Sequence, residues 1–255
     1  MSFLLLGATL LALVWAVVLR ASEASSSDSQ NFLAYSQEGP GLAYASNPLV
    51  LVQPKTRANE LTLEQSLTLT IESLHNYWAQ TMPPLFGTEY LPIQATIAYR
   101  PVQGEVPPCG ESEPNAAEYA YQAFYCGLGD FVAWDAQNLF PRFYERFGDL
   151  SVGLVLAHEW GHGIQARVGY SGEDPFPELQ ADCYAGSWFA SIDANSPLAD
   201  ARERIEPALR GLFNHLGDPA GTGFDRASEH GTPIQRQEAF KDGFTNGAAA
   251  CLLYS

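Results

Sequence analysis

Apolar residues recur at helical spacing over residues 61–80, where Leu63, Leu67, Ile71, Leu74 and Trp78 share one face and predict a helix. Thr62 and Gln65 stand at capping-box spacing at its start, and Pro83-Pro84 is expected to end it. The run Gln94 to Tyr99 reads as a strand, followed by a Pro- and Glu-rich loop over 101–118 that carries Cys109. Residues 119–135 are aromatic and partly alternating, which predicts a hairpin with Gly127 and Gly129 at its turn. A short helix is expected at 137–147. A longer one is expected from Leu150 to Val168, with Asp149 as its cap and Gly169 as its stop. Pro175 and Pro177 introduce a helix over 177–192, and an amphipathic helix fits 198–215, with Ile205, Leu209, Leu212 and Phe213 on one face. After a Gly-rich stretch at 217–231, Thr232-Pro233 and Gln235 open a last helix that should close near Gly243. The pattern is that of an α+β domain, mainly helical, with a small antiparallel or mixed sheet.

The first residues follow a different pattern. Residues 3–19 (FLLLGATLLALVWAVVL) are uncharged and apolar all round, so a signal peptide or membrane anchor is expected within 1–20. Ser22-Glu23-Ala24 offers a small-x-small cleavage site. A Ser-rich linker that cannot bury a core covers 21–38, which leaves 39–255 as the main domain. Charge narrows the partners. Thirteen Lys and Arg face 29 Asp and Glu, a formal net charge of -16, and such a surface repels phosphate backbones; no nucleic-acid partner is expected. Cys109, Cys126, Cys183 and Cys251 form no CxxC pair. An even number in an exported chain predicts two disulfides, and spacing does not choose among the three pairings. The expected setting is extracytoplasmic, either secreted or anchored through residues 3–19.

The chemistry is concentrated in His158-Glu159-Trp160-Gly161-His162. Residues four apart lie on one face of a helix, so the two imidazoles of an HExxH sequence converge on a single ion. Zinc accepts imidazole nitrogen at about 2.0–2.1 Å and is usually four-coordinate. Glu159 points about one-third of a turn away from His158, where it reaches a water rather than the ion and serves as general base. Val152, Leu154, Val155, Leu156 and Ala157 make the preceding turns apolar and predict a buried helix. Gly153, Gly161 and Gly163 each cost about 1 kcal/mol in a helix relative to Ala, which predicts close approach by another backbone or a substrate. A catalytic zinc site needs a third protein ligand. Glu178 and Asp182 share one face of a predicted helix, so one can ligate while the other holds a histidine through its free ring nitrogen. His215 is a second candidate, although a helix C-terminal histidine also fits the dipole. His230 is a third; it could donate to the oxyanion of a transition state or cap a turn.

AHEWGHGIQ, ELQADCYAGSWFA and EHGTPIQRQEAF, taken in order, resemble the signatures of the bacterial neutral zinc metallopeptidases, exported or membrane-anchored proteins. Tyr77-Trp78-Ala79-Gln80, Cys109-Gly110 and Phe124-Tyr125-Cys126 are similar too, and the resemblance spans about residues 60–255. It implies a zincin-like fold with His158 and His162 as metal ligands and Glu159 as catalytic base. By similarity to other glutamate-ligand zincins it also implies Glu178 as third ligand, supported by Asp182. It implies the disulfides Cys109–Cys126 and Cys183–Cys251, the second tying the ligand-bearing helix to the C-terminal segment. Glu229 departs from the family, which commonly has Thr there, and an added carboxylate would act on His230. The expectation is a zinc-dependent endopeptidase with one Zn2+ per chain, Glu159 and His230 as catalytic groups, and a peptide or protein substrate. Phe131-Val132-Ala133-Trp134 is expected as an edge strand holding that peptide by backbone pairing. The competing expectation is a catalytically silent zinc-binding module of the cell envelope, for which a retained Glu159 has no use.

Overall fold

The computed structural model describes residues 61–110, 115–170, 172, 175–202, 209, 211–214 and 230–254. The expected signal or anchor (1–20), the linker (21–38), His215 and Glu229 lie outside them, as does most of the expected helix at 198–215. The described part is α+β, mainly helical with a three-stranded mixed sheet.

Helix α1 (Leu63–Phe86) begins at the expected capping box of Thr62 and Gln65. It does not stop at Pro83-Pro84. Proline's fixed φ suits a helix, and the carbonyls that lose their donors belong to Ala79 and Gln80, both exposed to water. The stop is Gly87, at φ 70°, whose N–H donates to the Pro83 carbonyl at 3.0 Å. The buried ridge of α1 is Ser66, Thr70, Leu74, Trp78 and Met82, so its N-terminal half buries hydroxyls where the sequence pattern places leucines.

Strands β1 (Ala95–Tyr99), β2 (Ala123–Cys126) and β3 (Phe131–Asp135) are ordered β1-β3-β2. The hairpin of β2 and β3 is antiparallel, with Cys126 opposite Phe131. β1 adds to β3 in parallel, with Ala95 opposite Phe131. The expectation that Phe131–Trp134 forms an edge strand is therefore corrected. β3 pairs on both sides and all five of its residues are buried, so the edge strand beside the HExxH helix is β2.

Helix α2 (Leu139–Phe147) leads through Gly148 into α3 (Asp149–Val168). Every residue of α3 from Asp149 to Gly161 is buried, as an all-round apolar helix requires. Asp149 is not its cap. Gly148 takes that position, and Asp149, inside the first turn, accepts the N–H of Leu61 at 3.1 Å and ties α3 to the start of α1. Helix α4 (Phe176–Ala190) follows, then the short α5 (Pro197–Arg202). Helix α6 (Pro233–Asn246) opens with a second capping box, Thr232 and Gln235, and runs past Gly243 to stop at Gly247. Gly243 sits inside α6 because α4 crosses there. A Cβ on it would lie 1.8 Å from the Cys183 carbonyl oxygen. All four cysteines are paired as Cys109–Cys126 and Cys183–Cys251. The first clips the long loop to β2; the second fastens α4 to the 3₁₀ turn Ala248–Leu253.

Candidate metal centre

Two successive helices carry the donor groups. His158 and His162 project from one face of α3, and Glu178 sits in the first turn of α4, where a carboxylate also suits the positive end of the helix. The helices touch at Gly161, where a Cβ would lie 2.8 Å from the Ala181 Cα. Any side chain there would push Glu178 away from the histidines. His158 Nε2 is 3.2 Å from His162 Nε2 and 3.1 Å from Glu178 Oε2, and His162 Nε2 is 3.3 Å from Glu178 Oε1. Tetrahedral ligands about 2.0–2.1 Å from an ion stand about 3.3–3.4 Å from one another. The group is thus of a size to hold a metal ion.

The outer ring nitrogens are already engaged. His158 Nδ1 lies 2.9 Å from Asp182 Oδ1, and His162 Nδ1 lies 2.9 Å from Gln165 Oε1. Both partners accept, so both Nδ1 atoms donate, and the two Nε2 lone pairs face each other. That geometry calls for a cation between them, either protons or a metal. Without metal, protons serve. Burial opposes charge on His158, but Asp182 and Glu178 outweigh it and push its pKa up to about 10. His162 is raised as well, its hydrogen bond to Glu178 prevailing over burial and over repulsion from His158. Burial would raise the Glu178 carboxyl, yet the two histidines hold it well below the usual range.

Two participants escape a reading of the sequence. Arg236, on α6, is buried at 2% exposure. Its Nε donates to Asp182 Oδ2 at 2.6 Å and its Nη2 to Asp182 Oδ1 at 2.9 Å. Burial would raise the Asp182 carboxyl, but Arg236 and His158 hold it below its ordinary value. Gln165 is the other, fixing the orientation of the His162 ring. Its only sequence signal is its place three residues after His162, on the same helix face. That of Arg236 is its place one turn inside the capping box of α6.

The cluster opens into a cavity of about 590 Å³. Glu159 borders it, with Oε2 accepting the Tyr125 N–H of β2 at 3.1 Å. Burial raises the Glu159 pKa against the pull of the two histidines. Strand β2 forms one wall, while Phe143, Leu154, Phe213 and Phe240 make another part apolar. His230, exposed at the residue before Gly231, also lines the cavity. The structure therefore brings His158, Glu159, His162, Glu178, Asp182 and His230 around one space. The backbone approach expected at glycine is present at Gly161, against Ala181, whereas Gly153 and Gly163 instead make room for side chains, Thr70 and Ile93.

No known protein family's profile matches the chain, and no solved structure matches it. It is similar to the uncharacterized protein Rv2575 of Mycobacterium tuberculosis, at 28% identity over 151 residues, 49% of this chain and 52% of the relative. It is also similar to the uncharacterized protein YpfJ of Escherichia coli K12, at 31% identity over 149 residues, 50% of this chain and 52% of the relative. The chain spans about half the length of these curated relatives.

Proposed function

We propose that the protein is a zinc-dependent endopeptidase with a zincin-like domain, holding one Zn2+ per chain through His158, His162 and Glu178. The observation that carries this reading is the set of three donors at tetrahedral spacing with the buried carboxylate of Glu159 beside them. Two imidazoles and one carboxylate are a donor set of catalytic zinc, which keeps a fourth position open. Bound there, zinc would supply a Lewis acid that polarises a carbonyl and lowers the pKa of water.

The residues of the chain do the rest. Glu159, with its raised pKa, takes the proton of the attacking water and passes it to the departing amine, so that water adds across the peptide bond. The Tyr125 N–H holds its carboxylate in place. Asp182 keeps His158 oriented, and Arg236 keeps Asp182 charged. His230, on the cavity wall, donates to the oxyanion. The substrate is a peptide or protein, met outside the cytoplasm. Two disulfides fit an oxidising compartment, and residues 3–19 would deliver or anchor the chain. Among the described residues no helix is long and apolar enough to cross a membrane.

The test is metal content and peptide-library cleavage by the purified protein and by Glu159→Gln. Zinc near one per chain in both, with cleavage lost only in the variant, is expected. Metal without cleavage in either makes the protein a silent zinc-binding module. If no metal is bound, the proposal falls.

A further inference from the structure

His158 and His162 are held by different chemistry. Behind His158 stands the carboxylate of Asp182, which, held ionised, only accepts hydrogen bonds. Behind His162 stands the side-chain amide of Gln165, which presents an acceptor from one end and donors from the other. Which end faces the ring decides which ring nitrogen carries hydrogen.

The structure leaves one arrangement. The carbonyl of Cys251 only accepts, so the group of Gln180 that lies 3.1 Å from it is the NH2. The oxygen of Gln180 then faces Gln165 and accepts from its Nε2 at 3.2 Å. A second carbonyl, that of Pro177, takes the other Gln165 hydrogen at 2.7 Å. With both hydrogens engaged, Gln165 turns its oxygen to His162 Nδ1 at 2.9 Å. That nitrogen must donate, and Nε2 is left bare toward Glu178 and His158. Gln165 and Gln180 are 6% and 2% exposed, so little water competes for these bonds. The carbonyl that starts the sequence belongs to Cys251, which its disulfide fastens to Cys183 on the same helix as Glu178. The Pro177 carbonyl precedes Glu178 itself.

We propose that Gln165 and Gln180 are positioning residues, an amide relay that fixes the tautomer of His162 from the backbone carbonyls of Pro177 and Cys251 and so tunes metal affinity at a ligand with which neither carbonyl nor Gln180 shares a hydrogen bond. The proposal rests on the metal-site reading above. Removing a hydrogen-bond partner behind a ligating histidine typically weakens metal about 10–100-fold. A residue that merely fills space has no reason to change the proton of a ring two hydrogen bonds away.

The experiment compares the full chain with Gln165→Met and Gln180→Met, which keep side-chain length and lose the amide. Zinc affinity is measured by competition with a chromophoric chelator. The ring N–H of His162 is observed by heteronuclear NMR in the zinc-loaded protein. The wild type should show the proton on Nδ1, exchanging slowly with solvent. Gln165→Met should bind zinc about 10–100-fold more weakly and Gln180→Met more weakly by a smaller factor, since the Pro177 carbonyl still holds Gln165, and both should show faster exchange of that proton. Wild-type affinity and exchange in Gln180→Met would overturn the relay. So would zinc bound through Nδ1 in the wild type, which needs no variant to fold. A wild type that binds no zinc overturns the metal reading and the relay together, whereas the other two failures leave the metal reading standing.

Discussion

Asp182 is a buried charge held by two cations, Arg236 and, in the metal-free site, the protonated His158 ring. Replacing Arg236 with Met would leave that carboxylate with His158 alone, so the loss should fall toward or below the low end of the about 3–5 kcal/mol that breaking a buried pair from one side costs. Urea unfolding of the metal-free protein near neutral pH is expected to show that loss. The His158 proton sets a second expectation. Its pKa of about 10 means that the metal-free site is protonated at neutral pH, and a metal must displace that proton. Zinc affinity should therefore rise as pH rises from neutral toward 10, with protons released on binding. Calorimetry in buffers of different ionisation enthalpy measures the release; pH-independent binding would contradict it. At this scale the sequence was legible where chemistry is local. HExxH shows itself by spacing alone. Glu178 and Asp182 share a helix face, so periodicity leaves their roles open; the resemblance implies Glu178 as ligand with Asp182 behind it, and the geometry puts one at Nε2 and the other at Nδ1 of His158. Arg236 was hidden because its bond to Asp182 joins residues 54 apart.

Helices were readable from their apolar spacing and caps, and α1, α3, α4 and α6 lie close to where the pattern put them. What misled was context. A proline pair disfavours a helix partly by stranding carbonyls, and here those of Ala79 and Gln80 are on the exposed side, open to water. A strand of mixed pattern shows neither which neighbours it will pair with nor the parallel addition of β1. Gly243 looked like a helix end but is a helix crossing. Gly243→Ala would press a Cβ against the backbone of Cys183, where no side chain can swing aside, and Gly186 on the facing helix is equally confined, its Cβ 2.0 Å from the Phe240 carbonyl oxygen. Overpacking of this kind typically costs about 1–3 kcal/mol. Because α4 carries Asp182 and α6 carries Arg236, the substitution should lower the thermal midpoint and weaken zinc binding together. A variant as stable and as tightly loaded as the wild type would refute the crossing as a constraint on the site.

For the whole molecule, two covalent ties do what local pattern cannot announce. The disulfides close loops with separations of 17 and 68 residues. Loop-closure entropy assigns them about 3 and 4 kcal/mol, respectively, against the unfolded chain. Reduction under denaturing conditions followed by alkylation should therefore prevent refolding or shift the unfolding midpoint sharply downward, as circular dichroism would register. Their pairing was legible only through family resemblance; four cysteines by themselves left three choices. The Cys183–Cys251 tie also bears on the order of assembly. The three candidate donor side chains, His158, His162 and Glu178, lie on two helices adjacent along the chain and can meet early, as a helical hairpin forms. The guanidinium that braces Asp182 and the carbonyl that orients His162 come from residues 233–251. A polypeptide made from its N-terminus thus acquires the three donor groups, with Asp182 and Gln165 beside them, before the residues that brace those two, and on the proposed reading a firm hold on an ion waits until the last helix and the turn behind it have docked.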